Sequence, residues 1–374
     1  MADKKKVLFV ATVVKTHIMQ FHIPYLQMFQ EHGWETAVAS RNDYENPQDC
    51  QIPYCDHYYP VDFERNPMKP GNIAALRELK RIIREGDYDI IHCHTPMGGV
   101  LARIAGREAR KKGCKIIYTA HGFHFFDGAP LLNWLMYYPV EKHLAHDTDV
   151  LITMNREDYD RALAKMPAKE IKYVHGVGVD TKRFASASVD AKTLRESIGL
   201  SEDEPMILTV GELIKRKNHE MILRALGGMK DSKWKYVIVG RGVLLDHLKE
   251  VAKECGIEDR VIFLGYRRDI PEMLHACDLF VFTSFQEGLP VAIMEAMAAG
   301  APILCTKNRG TADLIEDGVS GAFTEMNAED LRAKMQILLA HPEVRDAYAK
   351  KSLERIGTFD IEVVKKEMEL IYFE

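Results

Sequence analysis

The chain has 374 residues, 47% of them hydrophobic and 28% charged, with a formal net charge of −5. That length exceeds one ordinary core and predicts two domains. The composition excludes a disordered chain, and the acid excess speaks against a nucleic-acid partner.

Seven cysteines without CxxC spacing predict reduced thiols in a cytoplasmic protein rather than a disulfide framework. The start, MADKKKVLFVATVVK, imitates a signal peptide. Lys15, Thr16 and His17 follow where a small-residue cleavage site belongs. Val7 to Val14 therefore reads as a buried first strand of a parallel sheet. No stretch is long and apolar enough to span a bilayer.

The helical QFHIPYLQMFQEHG comes next, stopping at Gly33, and then the strand ETAVAS. NIAALRELKRIIREG is an amphipathic helix with Ile73, Leu76, Leu79 and Ile83 on one face. YDIIHCH is a strand, GGVLARIAGREARKKG a helix, and KIIYTAHG and DVLITM are strands. The rhythm restarts after a polar stretch with Ser186, Ser188 and Asp190. PMILTVGE, WKYVIVGRG, VIFLG, LFVFTS and APILCT read as strands with helices among them. The last segment, IEVVKKEMELIYFE, is helical. This is the βαβ alternation of two doubly wound α/β domains. Ligands of such sheets bind at the carboxyl ends of the strands, and two facing sheets predict a cleft between them.

Strand-end residues are therefore the candidates. His92, Cys93 and His94 look metal-like, but Cys93 points away from the face that His92 and His94 share. No third and fourth ligand is spaced nearby, so no metal site is expected. His94 and His121 end strands, and His17 follows the first strand; all three are expected at the cleft. Lys215, Arg216 and Lys217 crowd a strand-to-helix junction after Gly211. Gly240 and Gly242 end another strand. In FQEGLPVAIMEAMAAGAP, Glu287 and Glu295 flank Gly288, Leu289 and Pro290. Pro290 suits the first helical position and Gly300 the stop. Free N–H groups at that helix start attract phosphate. On spacing alone the two carboxylates fit a ligand clamp, an acid/base pair or a charged helix start.

Here the sequence resembles a known family. Glu287, seven residues, Glu295 and then AMAAGAPIL resemble the signature of the retaining family 4, or group 1, glycosyltransferases. THIMQFHIPYL, YDIIHCHTP and TAHGFHFFDGAPLLNWLMYYPVEKHLA resemble the acceptor domain of that family. GVGVDTKRF resembles the lead into the linker, and VGELIKRKNHEMILRAL, VIFLGYRRDIPEML and DGVSGAF resemble the donor domain. The resemblance covers nearly the whole chain and is nearest to bacterial enzymes of exopolysaccharide or capsule assembly.

It implies the GT-B fold, with two Rossmann-like domains facing across a cleft and the C-terminal helix crossing back to the first. Residues 1–187 would form the acceptor-binding domain, with helix 358–374 packing back on it, and 188–357 the donor-binding domain. It implies transfer from a nucleoside diphosphate sugar, most simply a UDP-sugar, with retention and with no cofactor or obligatory metal. Glu295 would hold the donor ribose and Glu287 would face the transferred sugar. Gly288, Leu289 and Pro290 would meet the diphosphate or sugar hydroxyls, and Lys217 the diphosphate. Gly211, Gly240, Tyr266 and Arg267 would border the donor. Where the family often carries Arg, this chain has Glu212, which leaves Arg216 and Arg241 as candidate second cations. His121 would sit beside the transferred sugar. His17, His94 and His124 fall on the acceptor side.

The acceptor would be a glycan or a polyprenyl-diphosphate-linked glycan. The basic helices with Arg77, Lys80, Arg81 and Arg84, and with Arg103, Arg107, Arg110, Lys111 and Lys112, predict contact with an anionic membrane surface. A cytoplasmic enzyme, peripheral on the inner face of the plasma membrane, is the expected setting. A nucleotide-sugar epimerase, a sugar phosphorylase of the same fold and a non-catalytic sugar-nucleotide binding subunit are the competing readings.

Overall fold

A computed structural model describes residues 4–187, 190–201 and 203–374. The chain forms two compact units, Met1–Gly176 with Lys365–Glu374, and Val177–Val364. The expected junction at 187–188 lies inside the second unit, and Ser188 falls outside the described residues. The segment after Gly176 packs in the second unit because its backbone pairs there. Val179 N–H donates to the Phe359 carbonyl and Ile361 N–H to that of Val179, both at 2.9 Å. Gly178 makes this approach possible. It takes φ +77°, and an added Cβ would lie 2.8 Å from Ile361 Cα.

Unit 1 holds a seven-stranded sheet. Its strands are β1 (Lys6–Val13), β2 (Glu35–Arg41), β3 (His57–Pro60), β4 (Ile90–His94), β5 (Lys115–Ala120), β6 (Val150–Thr153) and β7 (Glu170–Tyr173). All pairings are parallel, in the order β3-β2-β1-β4-β5-β6-β7. Every residue of β1 after Lys6 is buried, as expected for a strand covered on both faces. In the helix Gly71–Gly86, Leu79, Ile82 and Ile83 face the core. Ile73, expected on that apolar face, is instead 58% exposed. It borders an apolar cavity of about 970 Å³ whose rim also holds Met68, Leu76, Met97 and Val140.

Unit 2 holds a six-stranded sheet. Its strands are β8 (Met206–Val210), β9 (Lys235–Val239), β10 (Val261–Gly265), β11 (Leu279–Phe282), β12 (Ile303–Thr306) and β13 (Ala322–Thr324). They run parallel in the order β10-β9-β8-β11-β12-β13. In each unit the strand order reverses beside the first strand, at β1/β4 and at β8/β11. The crevice above the carboxyl ends at such a reversal is where open α/β sheets bind ligands.

Candidate active site

In unit 2 the chain leaves β8 at Gly211 and turns through Lys215–Lys217 before the helix His219–Gly227. The return at the end of β9 is tight. Gly240 has φ +154°, and a Cβ there would fall 1.8 Å from the Gly211 carbonyl oxygen. Gly242 meets Leu213 as closely, 2.4 Å from its carbonyl oxygen. These glycines act by letting two backbones touch, which fixes the loop that presents Arg216 and Lys217.

Both cations converge on one carboxylate. Glu287 Oε1 lies 2.6 Å from Arg216 Nη1 and 2.8 Å from Lys217 Nζ. Ser284 Oγ donates to the same oxygen at 2.6 Å. Burial pushes the Glu287 carboxyl up, but the charges of Lys217 and Arg216 overrule it and hold it below its ordinary value. The carboxylate thus holds two cations side by side. Its backbone is held too, since Arg309 Nε donates to the Glu287 carbonyl at 3.2 Å. The Arg309 helix is capped by Asn308, whose side chain accepts from the N–H groups of Gly310 and Thr311.

The two candidate second cations differ in their surroundings. Arg216 shares Glu287 with Lys217, whereas Arg241 is exposed and lies over the Tyr266 ring at 5.8 Å. Tyr266 and Arg267 sit apart from the Glu287 group, beyond β10, with Arg267 paired to Asp269. Pro290 is the N-cap of the helix Val291–Ala298, not its first helical residue as expected. Its ψ of 112° is extended, because the chain must still turn out of the Gly288–Leu289 bend. Gly300 is the stop, at φ +69°. Gly310 packs onto Gly288, where a Cβ would come within 2.6 Å of the Gly288 carbonyl oxygen. Leu289 is half-buried against the unit 2 core.

Glu295 lies on the second turn of that helix. Burial raises its carboxyl to about 7, with only the Arg183 charge opposing. Among the described residues no hydrogen bond or ion pair reaches this carboxyl. Glu287 and Glu295 therefore stand in different electrostatic surroundings. One is held by two cations, and the other has no such partner among the described residues.

In unit 1 the carboxyl ends of the strands carry histidines. His94 ends β4, His121 follows β5, and His17 lies in a π-type turn, Val14–Ile18, rather than in an open loop. His22 joins them, with its ring stacked on that of His94 at 3.8 Å. His22 was not singled out in the sequence, because nothing in its local spacing marks it. His124 stacks on Tyr137 at 4.6 Å and lines the apolar cavity together with His17. His92 is structural: its ring nitrogens meet Tyr372 Oη at 2.7 Å and Thr119 Oγ1 at 2.8 Å.

The basic faces of unit 1 need a correction. Arg103 is buried, paired with Glu141 at 2.8 Å and laid over the Tyr118 ring at 3.9 Å. Arg107 pairs with Asp147, Arg110 with Asp149, Lys111 with Glu108, and Arg81 with Glu78 and Glu85. Most of these cations are neutralised within the unit, so the face is far less basic than its sequence. The helix Leu131–Ala145 instead exposes Leu131, Leu132 and Leu135.

The comparisons agree with this architecture. The family model for glycosyl transferases group 1 matches residues 190–355, and the one for glycosyl transferase 4-like proteins matches residues 6–155. A putative glycosyltransferase, EpsD, of Bacillus subtilis is 41% identical over 85% of this chain and 82% of its own length. A Campylobacter jejuni enzyme is 32% identical over 87% of this chain and 88% of its own. Its name is N-acetylgalactosamine-N,N'-diacetylbacillosaminyl-diphospho-undecaprenol 4-alpha-N-acetylgalactosaminyltransferase. Among solved structures, HepE of Anabaena superposes with a TM-score of 0.81 at 20% identity, covering 98% of this chain and 99% of its own. That likeness, with the two parallel sheets, gives the two-domain α/β fold of the GT-B type. By its sequence relatives and both family models, the chain belongs to the group 1 glycosyltransferases.

Proposed function

We propose that this glycosyltransferase moves a sugar from a UDP-sugar to a hydroxyl of a glycan or polyprenyl-diphosphate-linked glycan, with retention, in bacterial surface polysaccharide synthesis. The observation that carries this reading is the pair of cations, Arg216 and Lys217, held on buried Glu287 at the β8/β11 reversal. When the bond to the sugar breaks, negative charge grows on the departing diphosphate. Fixed cations and helix N–H groups aimed there stabilise it without reorganising. Protein cations then balance the diphosphate, and the donor chemistry needs no obligatory metal or other cofactor. Glu295 would accept hydrogen bonds from ribose hydroxyls. Glu287, Gly288 and Leu289 would meet the sugar and diphosphate, with Gly211, Gly240, Arg241, Tyr266 and Arg267 bordering the nucleotide.

The relatives support the substrates. The HepE structure contains UDP and glucose. An Escherichia coli relative, 30% identical over 76% of this chain and 76% of its own, is a UDP-Gal:alpha-D-GlcNAc-diphosphoundecaprenol alpha-1,3-galactosyltransferase. The acceptor would use unit 1, where His17, His121 and His124 border the cavities. Among the described residues no helix is long and apolar enough to cross a membrane. We assign the enzyme to the cytoplasm, at the inner membrane face where a lipid-linked acceptor resides.

Calorimetry with UDP and UDP-sugars, paired with transfer assays against a donor panel, tests this. Glu295→Gln should weaken UDP itself. Glu287→Gln should leave UDP affinity nearly unchanged and weaken donor use and turnover. Both variants binding UDP like the wild type while losing all turnover would make the pair an acid/base couple and sink the clamp. Turnover without acceptor, or only with free phosphate, would instead favour an epimerase or a phosphorylase. UDP binding with no turnover on any acceptor would favour a binding subunit.

A further inference from the structure

Unit 1 gathers more unpaired imidazole than a core ordinarily tolerates. His17, His22, His94 and His121 each bring one ring nitrogen within 4.8 Å of the others. They come from the turn after β1, the start of the next helix, the end of β4 and the end of β5. Only a parallel sheet with its order reversed at β1/β4 makes these points neighbours.

Buried polar atoms normally find partners. Here Nε2 of His17, both ring nitrogens of His22 and Nε2 of His94 are buried without a hydrogen bond among the described residues. Among the described residues the one hydrogen bond within the group runs between His94 Nδ1 and His121 Nε2, at a long 3.4 Å. His92 shows the ordinary alternative, with its ring 4.0 Å from that of His94 and both nitrogens satisfied. Burial also keeps the four rings neutral, the form in which imidazole ligates.

We propose that His17, His22, His94 and His121 form a binding site for a late first-row divalent metal ion of the Zn²⁺ type. Tetrahedral Zn–N bonds of about 2.0–2.1 Å set ligand nitrogens roughly 3.4 Å apart. Small rotations of the rings inward therefore close the site. An all-imidazole set suits Zn²⁺, Co²⁺, Ni²⁺ or Cu²⁺ and rejects Mg²⁺ and Ca²⁺, which want oxygen. Cys93 is no ligand, since its thiol points to the Ile117 carbonyl at 3.3 Å. Phe9, whose ring lies 6.0 Å from that of His94, forms an apolar floor. His17 borders the large cavity and His121 an adjoining one of about 160 Å³, which gives an ion an entry path. Among the described residues no carboxylate is hydrogen-bonded to these rings, and such partners commonly add about 10–100-fold in affinity. Micromolar rather than far tighter binding is expected.

The test uses the full chain, purified without a polyhistidine tag, stripped with a chelator and brought to dialysis equilibrium with Zn²⁺ or Co²⁺ alone at a free concentration well above the expected dissociation constant. The expected result is about one ion retained per chain and the intense visible absorption of tetrahedral Co²⁺. The melting temperature should rise with metal concentration, as binding to the folded state requires. His22→Gln and His94→Gln should each abolish retention and the absorption band. Should both fail to fold, His121→Gln, the least buried of the four, carries the test. His247→Gln, exposed in unit 2, should change neither readout. Retention well below one ion per chain in the wild type would overturn the proposal. So would a weak octahedral Co²⁺ spectrum, or equal retention in a folded cluster variant. Metal content and spectrum do not depend on turnover, so this result stands apart from the donor reading.

Discussion

The two sheets have the same reversal of strand order and the same crevice above it, yet one crevice is lined by charged groups and the other by neutral imidazoles. Above β8 and β11 stand Arg216, Lys217 and Glu287, all ionised and mutually paired. Above β1, β4 and β5 stand four buried imidazoles held neutral by burial. The fold supplies the place; side chains at the strand ends decide whether it suits an anion or a metal ion. A nucleoside diphosphate needs the first kind of site. A late first-row metal ion suits the second, because a neutral ring nitrogen offers it a lone pair.

The largest break in this comparison comes from removing charge from the unit 2 crevice. Lys217→Ala should lower turnover by about 10²–10³, the usual cost of one preorganised donor to a developing anion. Arg216→Ala should cost less, because its side chain is 42% exposed against 13% for Lys217, and solvent screens it. Steady-state and single-turnover rates with the same UDP-sugar check both. Equal, small losses would mean that the pair serves only to hold Glu287.

Next is the clamp. Glu295→Gln should weaken UDP binding by roughly 1.5–3 kcal/mol, the worth of hydrogen bonds to a charged group. The same carboxyl carries a pH signature. Its folded value of about 7 lies above the ordinary 4.5, so between those values the folded protein holds a proton that the unfolded chain releases. Stability from this group is therefore lost as pH rises through that window. Glu295→Gln should make the protein more stable at pH 8, by about 1–2 kcal/mol once partial solvation is allowed for. Ribose hydroxyls favour the ionised form, so wild-type UDP affinity should fall toward about tenfold per pH unit below 7. The Gln variant lacks that component of the slope, and calorimetry from pH 5.5 to 8.5 compares them. Matching slopes would remove the ribose role.

How much of this was legible follows the physics of each element. The central strands β1, β4, β5, β8, β9, β11 and β12 stand out as apolar runs because both faces are covered. β3, β7 and β13 were not read as strands. All three are short sheet edges, with sequences HYYP, EIKY and AFT that are largely half-buried or exposed. The strand-end residues Lys217, Glu287 and Glu295 were legible through spacing and resemblance. Their pairings were not, because Lys217 and Glu287 meet across 70 residues of chain. Ser284 ends the strand-like run LFVFTS, and nothing local marks its hydroxyl as the one that donates to Glu287. The histidine group escaped for the same reason. His92 and His94 were weighed for a metal on their local spacing, whereas the nitrogens that converge belong to four separate strand ends and turns.

The smallest effect expected concerns the membrane, and it sharpens the comparison from the side of unit 1. If basic helix faces draw this unit to anionic lipid, the force comes from cations not already engaged. Arg77, Lys80 and Lys112 have no ion pair among the described residues, while Arg81, Arg107 and Arg110 spend their charge on acids. Each unengaged cation near an anionic surface adds about 1 kcal/mol at most, and salt screens it over about 10 Å at 0.1 M. Preference for anionic over neutral vesicles should therefore be modest at low salt and lost at high salt. Arg77→Gln with Lys80→Gln should remove most of it. Breaking one internal pair by Asp149→Asn frees Arg110 and should raise the preference instead. Leu131, Leu132 and Leu135 supply the control, because apolar contact is not screened. Leu135→Glu should lower binding to both kinds of vesicle, leaving the salt response in place. Sedimentation with vesicles of each composition, at low and high salt, measures all four cases. Binding that ignores both the charge changes and the leucine change would detach unit 1 from the membrane and leave a soluble glycan as the acceptor.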